Sequence, residues 1–158
     1  AEMRSASVHL KDNVADDDAA MHYELGVAKL QMGLHQEAIT ALELAARDPE
    51  HECVALSVMG NIPLQLNDVD AALNALHRAI SAQHRTRDQE LAVGYEIANC
   101  YELCNMPEQA LQYFEWVAMI HPDHDDPRGN VTDRIHRLRG GSGPLRLPLP
   151  LGSEADEA

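Results

Sequence analysis

The sequence has few aromatic residues, which make up 4% of its 158 residues, and it has only two lysines, Lys11 and Lys29. Hydrophobic residues still reach 45%, so alanine and leucine must fill most of the core. Short apolar side chains favour close contacts between helices over the packing of a β-sandwich. The composition therefore predicts an all-α domain.

Positive charge is scarce as well, since 12 basic residues accompany 26 acidic ones and the formal net charge is −14. A surface of this sign repels nucleic-acid phosphates and anionic membranes, which argues against both as partners. No apolar run approaches the length of a membrane-spanning helix, and the N-terminus lacks an apolar signal-peptide core. We expect a protein or peptide partner and no membrane insertion.

The three cysteines, Cys53, Cys100 and Cys104, fall at apolar positions of predicted helices and show no disulfide framework. This usage is typical of a reducing compartment and predicts a cytoplasmic protein. Cys100 and Cys104 lie one helical turn apart, but no histidine pair has a matching spacing, so no metal site is expected. The sequence also lacks a phosphate-binding loop and a nucleophile elbow, which argues against a cofactor and against enzymatic activity.

The sequence does contain an internal repeat. Leu25-Gly26 recurs as Met59-Gly60 at an offset of 34 residues, and a third copy with Ile97-Ala98 follows at an offset of 38. The same offsets relate Ala38 to Ala72 and Ala110, and Leu42 to Leu76 and Phe114. A period of this length indicates stacked helical units, none of which can bury its apolar face alone.

Apolar spacing predicts three helix pairs and a capping helix between residues 16 and 139. The predicted helices cover residues 18–32, 35–47, 51–66, 69–83, 88–104 and 107–121, and the capping helix covers 127–139. The turn residue of each pair is Gly33, Asn67 or Asn105, and these residue types best tolerate the left-handed conformation that ends a helix. Pro63 lies inside a helix and is expected to kink it.

Four arginines surround the apolar stripe of the capping helix: Arg128, Arg134, Arg137 and Arg139. Compensation of the negative end of the helix dipole is the favoured interpretation of this cluster. Binding of an acidic partner is the alternative.

The repeated residues resemble the tetratricopeptide repeat (TPR) family over about residues 18–139. The matching residues are Gly26, Ala28, Gly33, Ala38, Leu42, Ala45 and Pro49 in the first copy, Gly60, Ala72, Leu76 and Ala79 in the second, and Ala98, Tyr101, Ala110, Phe114 and Pro122 in the third. Lys29 and Pro63 depart from the family, which has an aromatic residue there, as do His22 and Leu56 at its tryptophan position. The resemblance implies a TPR superhelix, an α-solenoid of about seven antiparallel helices.

In this family the first helix of each repeat lines a concave groove that binds peptides. The positions that the resemblance implies for this groove are Tyr23, Val27, Leu30, Ser57, Asn61, Leu64, Tyr95, Asn99 and Glu102. Tyr23 stands where the family's chaperone-tail binders carry a lysine, which argues against a clamp for a terminal carboxylate. Asn61 and Asn99 can pair with a peptide backbone, and the apolar members offer pockets. Packing between helices is the alternative role for each.

The two ends of the chain differ from the repeats. Residues 1–15 are weakly periodic and are predicted to be disordered, and residues 140–143 have the composition of a flexible linker. In the Leu/Pro-rich tail, residues 144–158, the leucines at every second position would lie on one side of an extended chain: Leu145, Leu147, Leu149 and Leu151. This tail is interpreted either as a partner peptide fused to its receptor or as a natural disordered acidic tail.

The sequence therefore predicts a cytoplasmic scaffold or adaptor that binds an extended Leu/Pro-rich peptide in its groove, with the tail itself as one candidate ligand. The alternative is a structural or oligomerising domain with a disordered acidic tail. A homo-oligomer and exchange of the tail between chains both stay open. A likeness in composition to repeat domains of bacterial motility and polarity scaffolds adds the expectation of such a role.

Overall fold

The computed structural model describes residues 18–126 and 128–140. The described residues form seven helices and one short β-ladder. The helices are α1 (Ala19–Gln31), α2 (His35–Ala45), α3 (Glu52–Gln65), α4 (Val69–Ile80), α5 (Arg87–Leu103), α6 (Pro107–Ile120) and α7 (Val131–Leu138), and the strands are β1 (Asp125–Asp126) and β2 (Gly129–Asn130). The predicted all-α fold class is confirmed. None of these helices is long and apolar enough to span a bilayer.

Several sequence-based predictions fall on residues that the structure does not describe. They are the disordered segment 1–15, the linker from residue 141 onwards, the tail 144–158 with its four leucines, and residue 127. These predictions lie outside the described residues.

The turns inside the three helix pairs share one backbone geometry. Gly33, Asn67 and Asn105 have φ angles of 76°, 60° and 56°, so the predicted left-handed turns are confirmed. In each turn the next amide donates to a carbonyl five residues earlier, from Leu34 to Lys29 at 2.9 Å, from Asp68 to Pro63 at 2.8 Å and from Met106 to Tyr101 at 2.9 Å. These bonds satisfy carbonyls at the end of the first helix, and the second helix follows without a long loop.

The chain divides into two compact units between Gln89 and Glu90. In the first unit α1 packs on α2 and α3 packs on α4, and α3 also contacts α1 and α2. A Cβ atom on Gly26 would lie 2.7 Å from Cγ of the fully buried Leu42, and one on Gly60 would lie 2.8 Å from Cγ of Leu76. The glycines therefore allow the two helices of a pair to approach closely, which is what the repeat pattern predicts.

Pro63 lies within α3, two residues before the helix ends at Gln65. Because proline has no amide hydrogen, it cannot donate a hydrogen bond to the Met59 carbonyl. Its own carbonyl accepts hydrogen bonds from the amides of Leu66 and Asp68, at 3.0 and 2.8 Å. The proline is thus placed where the helix is about to end, and the kink expected there stays a prediction.

The second unit has one hydrophobic core, to which α5, α6 and α7 all contribute. Ala98 of α5 and Phe114 of α6 stand at the positions that glycine and leucine hold in the first unit, and both are fully buried. Val131 and Ile135 of α7 complete this core. The terminal helix therefore covers an apolar surface, as expected of a capping helix.

The last helix begins at Val131 rather than at residue 127, where the sequence predicted it. Asn130 caps it, with its side chain accepting a hydrogen bond from the Thr132 amide at 2.8 Å. Before the cap, Asp125 pairs with Asn130 and Asp126 with Gly129 in an antiparallel ladder. The extended ladder and the asparagine cap therefore place the start of the helix at Val131.

Candidate functional site

In the first unit, the predicted site residues occupy one face each of two neighbouring helices. Tyr23, Val27 and Leu30 follow each other at helical spacing on α1, and all three are half-buried. Ser57, Asn61 and Leu64 repeat this spacing on α3, where Asn61 is exposed and the other two are half-buried. Ser57 donates its hydroxyl to the Cys53 carbonyl at 2.7 Å. The structure thus leaves apolar side chains and one free amide accessible on this unit.

In the second unit, Tyr95, Asn99 and Glu102 take the same spacing on α5. Tyr95 is 2% exposed, so the expectation that it offers an accessible apolar surface does not hold. Its ring packs edge-on against Phe114 at 5.5 Å and against His124 at 4.4 Å between centroids. Burial raises the pKa of its hydroxyl, and a hydrogen bond from Arg134 partly opposes this shift. Tyr95 is therefore a core residue, as the alternative interpretation held.

Asn99 is 3% exposed, and neither atom of its amide has a hydrogen-bond partner among the described residues. An unpaired buried donor or acceptor costs on the order of 1–3 kcal/mol. Asn61, its counterpart in the second repeat, is exposed, so water can form hydrogen bonds with its amide and this cost does not arise. Asn99, which the resemblance assigns to peptide binding, therefore destabilises the free protein through its unpaired amide.

Asn99 borders a cavity of about 490 Å³ in the second unit. The residues that line the cavity are Asn99, Glu102, Leu103, Arg128, Arg134 and Arg137. Leu103 is 69% exposed, so an apolar side chain stands at the edge of an otherwise polar wall. Two predicted site residues, Asn99 and Glu102, therefore share one cavity with three arginines that were not assigned to the groove.

Arg134 of α7 is the most buried of these arginines, at 4% exposure. It donates from Nη1 to the Tyr95 hydroxyl at 2.8 Å and from Nη2 to Glu102 Oε2 at 2.7 Å. Its guanidinium carbon lies 4.4 Å from the centroid of the Phe114 ring, in cation–π geometry. The Nε atom has no partner among the described residues. Arg134 thus joins α7 to α5 and keeps one donor unused.

Arg128 belongs to the loop before α7 and pairs with two carboxylates. Its Nη2 lies 2.6 Å from Asp126 Oδ2 and 3.0 Å from Glu96 Oε1. Burial alone would raise the pKa of Asp126, but hydrogen bonds and charge from Arg128 outweigh it and hold this pKa below the usual value. The Asp126 carboxylate therefore stays ionised at neutral pH and holds the loop.

The sequence suggested that the arginine cluster compensates a helix dipole, but three of its members pair with acidic side chains. Arg139 pairs with Glu115 of α6, in addition to the pairs of Arg128 and Arg134. Glu96 and Arg128 are 32 residues apart, and so are Glu102 and Arg134. This shared separation is the one signal in the sequence that points to these pairs. Local patterns do not reveal these pairs, because opposite charges at such distances identify contacts only once the fold is known.

A second cavity, of about 260 Å³, lies in the first unit between α1 and α2. The residues that line it are His22, Leu25, Lys29, Glu37, Thr40, Ala41 and Leu44. His22 is 5% exposed, and its two ring nitrogens have no hydrogen-bond partner among the described residues. None of the predicted groove residues lines this cavity, so it is separate from the groove positions of α1 and α3.

Cys100 is a free, buried thiol of α5. Burial raises the pKa of Cys100 to about 11, and Glu96 and Cys104 add to this shift, so its thiol stays protonated at neutral pH. Within residues 18–126 and 128–140, no group of three or more His, Cys, Asp or Glu side chains is arranged to hold a metal ion.

Residues 19–47 match the sequence profile of the tetratricopeptide repeat family. They comprise α1, α2 and the left-handed turn at Gly33, which is one complete helix pair. Curated protein sequences give no significant match.

Solved structures extend this likeness to most of the chain. A crystal structure of MamA has a TM-score of 0.66 at 21% identity, covering 87% of this chain and 75% of that one. A second MamA crystal structure scores 0.60 at 20% identity, covering 78% and 65%. The Podosopora anserina putative kinesin light chain with nearly identical TPR-like repeats scores 0.61 at 17% identity, covering 88% and 74%. Residues 19–47 are thus a tetratricopeptide repeat, and the described residues as a whole, three helix pairs and a terminal helix, have the fold of a tetratricopeptide repeat solenoid.

Proposed function

We propose that this chain is a protein–protein interaction scaffold that binds an extended Leu/Pro-rich peptide through the first helices of its repeats. The observation that carries the proposal is the buried, unpaired amide of Asn99 beside an open cavity. A peptide main chain presents one donor and one acceptor, which match Oδ1 and Nδ2 of an asparagine. A bound peptide would satisfy both atoms and would remove the cost of leaving them unpaired.

Access to Asn99 requires a side chain at the cavity mouth to move, because its amide is closed off from solvent in the free protein. Leu103 is 69% exposed and the Glu102 side chain is 35% exposed, so both have room to rotate. Rotation of exposed side chains takes place on a fast timescale and is common on binding. The amide is therefore reachable without a change of the backbone.

The first unit, taken by itself, offers apolar surface to a ligand of this kind. Tyr23, Val27 and Leu30 present half-buried apolar surface on α1, and Leu64 does so on α3. A Leu/Pro-rich segment is extended before it binds and loses little conformational entropy. Its leucines would cover this surface, while Asn61 pairs with its main chain.

Paired substitutions test this function. Asn99→Leu keeps the number and branching of the side-chain heavy atoms and removes the unpaired groups, so it should raise the free energy of unfolding by about 1 kcal/mol. It should also weaken binding of a labelled peptide with the sequence of residues 144–151 by about tenfold or more. Asn61→Ala should weaken binding without lowering stability, and Asn74→Ala, at an exposed asparagine of α4, makes the same exchange in a helix as its control. Fluorescence anisotropy and chemical unfolding measure the two effects.

The opposite result would contradict the proposal. If Asn99→Leu destabilises the protein and leaves peptide affinity unchanged, the amide has a structural role. If no variant changes affinity, the alternative of a structural or oligomerising domain is favoured.

The tail is a candidate ligand within the same proposal. Removing residues 141–158 should lower the melting temperature, and adding the peptide of residues 144–151 should restore it, because a ligand that binds only the folded state stabilises that state. Equal melting temperatures with and without the tail, at low and high protein concentration, would rule out docking of the tail in cis or between chains.

Location and the absence of enzymatic activity belong to this proposal as well. Cys53, Cys100 and Cys104 are free thiols, which agrees with a reducing compartment such as the cytoplasm. A role in bacterial motility or polarity stays a prediction.

A further inference from the structure

The cavity of the second unit has more positive than negative charge on its walls. Of the residues that line it, Arg128, Arg134 and Arg137 are cationic, and Glu102 is the one carboxylate. The chain as a whole has a net charge of −14, so this wall differs in sign from the average surface. Arginine suits such a site because its planar guanidinium can bind a carboxylate through two hydrogen bonds.

The three arginines differ in how far their charge is already compensated. Arg128 pairs with Asp126 and Glu96, and Arg134 pairs with Glu102. Arg137, one helical turn after Arg134 on α7, is exposed and makes no ion pair with any residue that the structure describes. Its guanidinium is therefore available to an incoming carboxylate.

Two buried side chains on the same wall carry unused hydrogen-bonding groups. Arg134 Nε and Asn99 Nδ2 are donors, and Asn99 Oδ1 is an acceptor, and none of the three has a partner in the described part of the chain. Both side chains are at least nine-tenths buried and border the cavity. An acidic residue of a peptide matches this set, because it offers carboxylate and carbonyl oxygens as acceptors and its amide as a donor.

We infer that this cavity binds the side chain of an aspartate or glutamate within an extended peptide, with Arg137 as its first ion-pair partner. The inference rests on the proposed function and adds the chemistry of one ligand residue. The carboxylate belongs to a side chain, since the main chain of the peptide is held along α5 by Asn99.

Glu102 is the carboxylate that this cavity already contains. It holds Arg134 at 2.7 Å while its own side chain is 35% exposed. An incoming acidic side chain would take its place at Arg134, and Glu102 would turn to solvent. The ion pair of the free protein thus competes with the ligand, and removing its charge should strengthen binding.

The test uses the full chain and two blocked peptides, acetyl-Leu-Pro-Leu-Glu-Leu-Pro-Leu-amide and the same peptide with glutamine at the centre. Calorimetry should find the glutamate peptide bound about tenfold more tightly. Arg137→Gln should remove most of this difference, and Glu102→Gln should enlarge it. Arg87→Gln, at an exposed arginine that does not line the cavity, makes the same change in net charge and should preserve the difference.

Each other outcome has a definite meaning. If neither peptide binds, the proposed function fails and this inference fails with it. If both peptides bind equally, the proposed function stands and the inference is wrong. If Arg87→Gln reduces the difference in affinity as much as Arg137→Gln does, the preference comes from long-range charge and the inference about the cavity is wrong. If the glutamine peptide binds as tightly as the glutamate peptide once its C-terminal amide is replaced by a free carboxylate, the cavity binds a terminal carboxylate, and the inference is also wrong.

Discussion

The first two helix pairs and the third have the same turn geometry but pack their helices with different residues. In the first unit a glycine faces a leucine in each pair, Gly26 with Leu42 and Gly60 with Leu76. In the second unit Ala98 and the aromatic Phe114 occupy these positions. The repeat pattern therefore fixes where two helices approach, and the residues at the contact determine how closely they do so.

The two units also differ in where they place charge. In the first unit, Glu43 pairs with Arg78 of the next repeat, and both side chains are about half exposed. In the second unit, Arg134 is almost fully buried between Tyr95, Phe114 and Glu102. Exposed pairs contribute little to stability, whereas a buried arginine without its partners is costly. The terminal helix therefore depends on specific polar contacts in addition to apolar packing, and the first unit depends mainly on apolar packing.

The largest expected effect is a difference in stability between variants of Arg134 and Arg78. Arg134→Ala removes the bridge from α7 to α5 and the packing of the arginine stem on Phe114, and it should lower the free energy of unfolding by about 2–3 kcal/mol. This is below the usual cost of breaking a buried pair because the remaining carboxylate of Glu102 is partly solvated. Arg78→Ala should cost about 0.5 kcal/mol or less.

Unfolding in urea measures both arginine variants. Arg134→Met, which keeps an apolar stem, should recover part of the loss. A similar loss in Arg78→Ala and Arg134→Ala would show that the burial of the second pair does not matter for stability.

A smaller effect tests the packing difference directly. Gly60→Ala places a methyl group 2.8 Å from Cγ and Cδ2 of Leu76. Overpacking should cost about 1–3 kcal/mol, offset in part by the better helix propensity of alanine, which leaves a net loss of about 1 kcal/mol. Ala98→Gly, the reverse exchange in the second unit, should also lose about 1 kcal/mol, because there the methyl group has room and contacts.

A double-mutant cycle separates the clash from other effects of Gly60→Ala. In a Leu76→Ala background the clash is absent, so adding Gly60→Ala should raise stability rather than lower it. If Gly60→Ala is stabilising in the unmodified chain, close helix approach is not the reason for the glycine.

The features that the sequence predicted are those with local causes. Gly33, Asn67 and Asn105 mark the turns because a left-handed residue suits few side chains, and helical spacing marks the pairs around them. The groove positions come from the family resemblance, and their role in peptide binding stays a prediction. The prediction that Tyr95 is accessible was wrong, because its burial depends on contacts with Arg134 and His124 that no local pattern shows.

The three turns also differ in one residue, which allows a further prediction. Asp68 follows the left-handed Asn67 and caps α4, with Oδ1 accepting from the Ala71 amide at 3.1 Å. The equivalent residues Leu34 and Met106 make no side-chain cap on α2 and α6. The same backbone turn is thus capped in the second repeat and uncapped in the other two.

An aspartate at an uncapped turn should therefore stabilise the protein. Met106 is 38% exposed, so Met106→Asp loses little packing and should gain about 1 kcal/mol, while Asp68→Ala should lose about as much. In a chain of this size the gain corresponds to a rise in melting temperature of about 2–4 °C. Met106→Ala separates the cap from the loss of the methionine side chain. If the aspartate variant melts no higher than the alanine variant, the α6 amides are already satisfied by water, and the shared turn geometry alone determines where these helices begin.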